Sequence, residues 1–211
     1  MTEEEQLEQD AIKFNAILLK KVPEEALDYC MDFWLNYRFY FTLYKNRKSK
    51  LGDYRFHPEK KTHHITVNST LNKYSFLITY LHEVAHMTAN IKYGRKIQPH
   101  GMEWKNEFRD ILRPILKNTV LPEKILKALE RYSKNPKAST YSDQKLVLAL
   151  RAYDKNSGSL LLGDLSPGQK FRFRKDEFLL ESHRRTKVLC LNNSNGRKYL
   201  ISKLAEIEIV T

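Results

Sequence analysis

The sequence predicts an α+β fold over residues 1–135, a linker at 136–143 and a small all-β module over 144–211. Three observations carry this. In the first part apolar side chains recur mostly at helical intervals, and only near 38–68 does the period fall to two. The stretch Ser133 to Asp143 is rich in Ser, Asn, Lys and Pro and has no apolar period, which marks a boundary. Beyond it, short apolar runs alternate with turn-rich pieces such as Asn156-Ser157-Gly158 and Asn192-Asn193-Ser194-Asn195-Gly196, the pattern of antiparallel strands.

Thr2 and Glu5 have the spacing of a capping box, and Leu7, Ala11, Phe14 and Leu18 carry a first helix to about Lys21. Pro23 suits the first turn of a second helix with the stripe Leu27, Cys30, Met31 and Trp34. The alternation Phe39, Phe41, Leu43 reads as a strand, and Leu51 to Phe56 and His64 to Asn68 complete three short antiparallel strands. Ser69 and Thr70 suit a helix cap; an apolar helix follows from about Lys73 to Tyr93 and is stopped by Gly94. After the loop Gln98-Pro99-His100-Gly101, the face Trp104, Phe108, Ile111, Leu112 and Ile115 predicts another helix, kinked or shortened by Pro114. Pro122 opens a further helix with Ile125, Leu126 and Leu129 inward. In the tail, Leu146 to Tyr153, Ser159 to Leu162, Gln169 to Arg174, Thr186 to Leu191, Lys198 to Ile201 and Glu206 to Val210 are strand candidates for a small antiparallel barrel or sandwich.

Composition narrows the class. Hydrophobic residues make up 41% and charged residues 29% of the 211, which excludes collagen-like, mucin-like and bulk-disordered chains. No window reaches 18 consecutive apolar residues, so no membrane span is expected. The first residues, Met1-Thr2-Glu3-Glu4-Glu5, are acidic where a secretory signal would be basic, and a cytoplasmic protein is expected. The two cysteines, Cys30 and Cys190, form no CxxC pair, which rules out a disulfide framework and a cysteine-rich zinc knuckle. Lys+Arg total 37 against 25 Asp+Glu, and a net charge of +12 suits a polyanionic partner, nucleic acid first, or else a merely solvated basic surface.

The chemistry is concentrated in His82-Glu83-Val84-Ala85-His86, an HExxH motif inside the strongest predicted helix. Four residues is about one helical turn, so both imidazoles share a face and can hold one Zn²⁺. Glu83 projects beside them and can take a proton from water at the metal. With seven histidines in the chain, chance alone yields this spacing in about one or two such sequences per hundred, and the helical context is what makes it informative. A catalytic zinc needs a third protein ligand. Lys92 and Ala89 stand where a metzincin would have histidine and glycine, which excludes that subclass. The best candidate is His100, with Glu103 and Glu107 as alternatives.

Leu51-Gly52-Asp53-Tyr54-Arg55, Ile65-Thr66-Val67-Asn68, Leu81 to His86 and His100-Gly101-Met102-Glu103-Trp104 together resemble the SprT-like family, whose eukaryotic relatives are the Spartan proteases. The resemblance runs from about Pro23 to Tyr132, with four motifs in the family's order. It implies a zincin-like metalloprotease domain, His82, His86 and His100 as ligands of one zinc per chain, and Glu83 as catalytic base. It also implies a polypeptide substrate and, as in Spartan proteases, proteins crosslinked to DNA, with single-stranded or damaged DNA as a partner. One departure stands out: several bacterial members end in a cysteine-rich zinc ribbon, whereas this tail has only Cys190, so its β module must fold without metal.

Weaker signals complete the expectation. Between Arg38 and Lys61, cations are interleaved with Tyr37, Tyr40, Tyr44 and Tyr54, the combination single-stranded nucleic-acid binders use; Lys45, Arg47, Lys48 and Lys50 are the candidate phosphate contacts. The strand Ile65-Thr66-Val67-Asn68, just before the active helix, is expected to pair with the substrate backbone as an added strand. A zinc-dependent endopeptidase is the reading that results. Its rivals are a nucleic-acid-binding protein with a structural zinc and a zinc hydrolase of a non-peptide amide.

Overall fold

The structure is a computed structural model that describes residues 2–45, 50–137, 143–154 and 158–210. Two compact units divide it, Met1–Lys155 and Asn156–Thr211. The first mixes helices with a three-stranded sheet and the second is built on a five-stranded sheet, so the chain is α+β.

In the first unit, helix α1 (Glu3–Lys21) starts at the expected capping box: the Thr2 hydroxyl accepts from the Glu5 N–H and the Glu5 carboxylate from the Thr2 N–H. It buries Phe14 and Leu18 against α2 (Leu27–Tyr37), whose Cys30 and Trp34 are also buried. Helix α2 stops at Arg38, which takes a left-handed conformation (φ 47°) and lays its guanidinium 4.8 Å over the Trp34 ring. Strands β1 (Tyr40–Tyr44), β2 (Gly52–His57) and β3 (Thr62–Asn68) follow, in the order β1-β3-β2. The expectation of three antiparallel strands is corrected here: β2 and β3 form an antiparallel hairpin, but β1 pairs with β3 in parallel. Alternation tells which face of a strand is buried and not which strand lies beside it. The seven residues from Lys45 to Leu51 are too many for a tight two-residue hairpin turn and leave β1 and β2 on opposite edges.

Helix α3 (Lys73–Tyr93) is capped by the Asn72 side chain, which accepts from the N–H groups of Tyr74 and Ser75, and it ends at Gly94 with φ 78°. It is buried on almost every side, packed under β2 and β3 and against α4 (Met102–Leu112), as a helix apolar all round must be. Pro114 ends α4 in a single 3-10 turn, Arg113–Ile115, and α5 (Glu123–Ser133) starts after Pro122 as expected.

The strand expected at Leu146 to Tyr153 is a helix instead, α6 (Gln144–Arg151). Leu146, Leu148 and Leu150 alternate like a strand, but Asp143 caps the Leu146 N–H, and the buried set is Leu146, Val147 and Leu150, with Leu148 exposed. Leu146 and Leu150 join the core of the first unit, and the Asn72 amide donates to the Leu150 carbonyl at 2.9 Å. The unit therefore extends past the expected linker 136–143, of which 138–142 lie outside the described residues.

The second unit is one antiparallel sheet, β7-β6-β5-β4-β8, from β4 (Lys170–Phe173), β5 (Asp176–His183), β6 (Lys187–Asn192), β7 (Lys198–Ser202) and β8 (Glu208–Ile209). It has its own core of Phe171, Phe178, Leu180, Val188, Cys190 and Ile201. Strand β5 was not expected: the register shifts between Leu180 and Ser182, and that bulge breaks the alternation on which a strand reading depends. The stretch expected as a strand at Ser159 to Leu162 supplies only a bridge from Leu161 to Glu206 before a 3-10 turn. Both cysteines are buried and free.

Candidate metal centre

His82 and His86 leave α3 one turn apart, and His100 comes from the loop before α4. A tight turn aims it: the Gln98 carbonyl accepts from the Gly101 N–H at 2.9 Å, Pro99 takes the second position, and His100 takes the third with φ 60°. Glycine is the usual occupant of that position, so a histidine there carries backbone strain of about 1 kcal/mol. A Cβ on Gly101 would meet the Gln98 carbonyl oxygen at 2.9 Å, which accounts for the glycine that follows.

The three Nε2 atoms converge, 3.3 Å between His82 and His86, 3.2 Å between His82 and His100 and 3.0 Å between His86 and His100. Zn–N bonds of about 2.0–2.1 Å in a tetrahedral arrangement would set nitrogens about 3.3 Å apart. Hydrogen bonding does not explain such a triangle, since a neutral imidazole has one N–H to give and three nitrogens face one another. Burial lowers the pKa of all three histidines, and their mutual repulsion adds to it for His82 and His86; His86 is brought down to about 3. They are thus neutral at pH 7, the form that donates a lone pair to a cation. Donor type, spacing and protonation fit a divalent ion such as zinc, and among the described residues these three form the group of side chains able to hold one.

Glu83 lies next to His82 on α3 and is itself buried. Burial is the main cause that pushes its pKa up to about 8, and the Asp53 charge adds to it; Lys50 and the Tyr54 backbone N–H pull the other way. Strand β2 presses directly on it: a Cβ on Gly52 would stand 2.6 Å from Glu83 Oε1 and 2.8 Å from Thr79 Cγ2. The carboxyl group is therefore held between helix and strand, next to His82.

Trp104, in the first turn of α4, is fully buried with its ring 4.7, 5.2 and 4.6 Å from those of His82, His86 and His100. Its Nε1 is the buried side-chain nitrogen that has no hydrogen-bond partner among the described residues, at a cost of about 1–3 kcal/mol.

The carboxylate alternatives for the third ligand lie elsewhere. Glu107 is buried in an ion pair with Lys92 at 2.8 Å, and Glu103 stands beside Gly101. Lys45 and Lys50 are exposed, Lys50 donating to Asp53 at 2.9 Å, while Arg47 and Lys48 lie outside the described residues. Ile65, Thr66, Val67 and Asn68 cannot take up a substrate strand. They belong to the central strand β3, paired with β1 on one side and β2 on the other, and its backbone edges are already used. His63 and His64 face opposite ways as neighbours in a strand do: the Tyr54 hydroxyl meets His63 Nδ1 at 2.9 Å, whereas His64 stacks on Tyr40.

Sequence reasoning assigned no role to Gly52 or Trp104. A glycine inside a strand pattern signals a close approach of another group and could have pointed to Glu83. The tryptophan stood on the predicted inward face of its helix and in the motif His100-Gly101-Met102-Glu103-Trp104, but neither signal told that it would touch the three histidines.

Among known protein families, residues 34–122 match the SprT-like family. No curated protein and no solved structure matches the chain. The matched stretch runs from the end of α2 to the start of α5 and contains His82, Glu83, His86, His100 and Trp104, so the segment that carries the candidate site is similar to the SprT-like family.

Proposed function

We propose that the protein is a zinc-dependent endopeptidase. The observation that carries the reading is the convergence of three neutral imidazoles beside a buried glutamate. A zinc ion at that site would polarise the scissile carbonyl and acidify water. Glu83 accepts the proton of the attacking water and delivers it to the leaving amine nitrogen. Strand β2 takes the role expected of β3: it is the sheet edge next to Glu83, it has no strand on its other side among the described residues, and an extended peptide can lie along it. Three protein nitrogens leave a tetrahedral ion one position short, and this favours catalysis over a purely structural zinc.

Glu83→Gln tests the reading. It keeps the shape and leaves the imidazoles untouched, so zinc content should stay at one per chain while hydrolysis of an unfolded protein such as casein falls by roughly 10²-fold to 10⁴-fold. Turnover at the wild-type rate in that variant would refute it.

The nucleic-acid reading moves to the outward face of the three-stranded sheet. Tyr40, 60% exposed, stacks on His64 at 4.7 Å, His57 lies against the same imidazole, Lys60 and Lys61 are exposed in the turn before β3, and Lys45 is exposed beyond the far end of β1. Single-stranded DNA could stack there and place phosphates on the lysines. Affinity should fall steeply with salt, replacing Lys45, Arg47, Lys48 and Lys50 by glutamine should flatten that slope, and Tyr40→Ala should weaken binding even at high salt. Binding unchanged in both variants would remove the sheet as the site.

A further inference from the structure

We infer that Trp104 is a positioning residue for the three imidazoles. The inference rests on the metal reading of the site and adds to it the group that sets its shape. Imidazole ligands are ordinarily aimed by a hydrogen bond to the second ring nitrogen, from a carboxylate, a carbonyl or water. Here, among the described residues, the hydrogen-bond contacts of His82, His86 and His100 run through Nε2 and only to one another. Packing has to do the aiming.

Trp104 is placed for it. One ring lies within 5.2 Å of all three imidazoles, tilted 56° to His82, 30° to His86 and 75° to His100. Phe108 stacks on it at 5.0 Å with the planes 23° apart, so the indole cannot retreat into the core. The site draws on two elements, α3 for two ligands and the loop before α4 for the third, and the tryptophan belongs to α4 itself. A displacement of α4 would therefore carry His100 and Trp104 together. The unpartnered Nε1 supports the same conclusion. If the position only needed filling, phenylalanine would avoid burying an N–H without an acceptor. The indole is larger than a phenyl ring, and its ring lies against all three imidazoles.

The test is zinc affinity of the full chain, measured by competition with a chromophoric chelator, alongside the melting temperature of the metal-free protein. Trp104→Phe and Trp104→Tyr should lower zinc affinity by about 10-fold to 100-fold, the range found when groups that orient metal ligands are removed, and distort the visible absorption of the cobalt-loaded protein away from its tetrahedral form. Leu112→Ala, a fully buried change two turns further along α4, controls for loss of core packing: it should lower the metal-free melting temperature at least as much and leave zinc affinity within about 2-fold. Wild-type zinc affinity in both tryptophan variants would overturn the proposal. So would an affinity loss no larger than that of Leu112→Ala, or failure of both variants to fold without metal, because the ring would then serve the core and not the ligands. Wild-type protein that takes up no zinc in the same titration would instead overturn the metal reading beneath it.

Discussion

Gly52 shows how much of the candidate site hangs on one missing methyl group. Its backbone lies so close to α3 that a Cβ would overlap Glu83 Oε1 at 2.6 Å and Thr79 Cγ2 at 2.8 Å, and neither neighbour has free space to move into. Gly52→Ala should therefore destabilise the fold by about 1–3 kcal/mol, the usual range for overpacking, and lower hydrolysis further by displacing the carboxylate. Chemical denaturation and a casein assay read the two effects separately, and an alanine variant of unchanged stability and activity would show that β2 does not press on Glu83. His100 makes the complementary case. Its removal in His100→Ala should release most of the zinc, whereas Glu107→Ala should keep the zinc and lose stability, because Glu107 is engaged with Lys92 and not with the triangle of nitrogens. Metal analysis after dialysis distinguishes the outcomes, and the reverse pattern would mean that a carboxylate is the third ligand.

At the scale of elements, α3 holds the site and Asn72 anchors α3. The side-chain oxygen of Asn72 accepts two N–H groups of the first turn, and its amide reaches Leu150 at 2.9 Å and Asp154 at 2.6 Å. Asn72→Ala should cost about 1–2 kcal/mol, seen as a lower denaturation midpoint at constant slope. The helices were readable from the chain alone because a 3.6 period, a capping residue and a stop signal are local properties: α1, α2, α3, α4 and α5 all lie close to their expected bounds. The strands were less so. Phe39, Phe41 and Leu43 announced an extended segment, yet nothing in their alternation told that β1 would join β3 in parallel or that β3 would be central. Leu146, Leu148 and Leu150 misled outright, since alternating leucines suit a strand while their helical neighbours Gln144, Lys145, Ala149 and Arg151 suit a helix, and the core of the first unit decided between them.

For the molecule as a whole, the division into Met1–Lys155 and Asn156–Thr211 places α6 with the candidate metal centre and not with the tail. A fragment ending at residue 135 should consequently melt well below one ending at residue 155, because it loses the burial of Leu146 and Leu150 and the bond from Asn72; equal melting temperatures would show that α6 contributes nothing. Local pattern was enough to announce the pair His82 and His86 on one helical face, Glu83 beside them, His100 as the best third ligand, and a chain rich in positive charge. Contacts between segments far apart in the chain decided the rest: the pressure of β2 on Glu83, the occupied edges of β3, and Trp104 against all three imidazoles. The reason is physical. A spacing of four along a helix puts two side chains together whatever surrounds them, whereas a strand's neighbour or a ring's contacts exist only once separate elements have packed, and periodicity records which face is buried without recording against what.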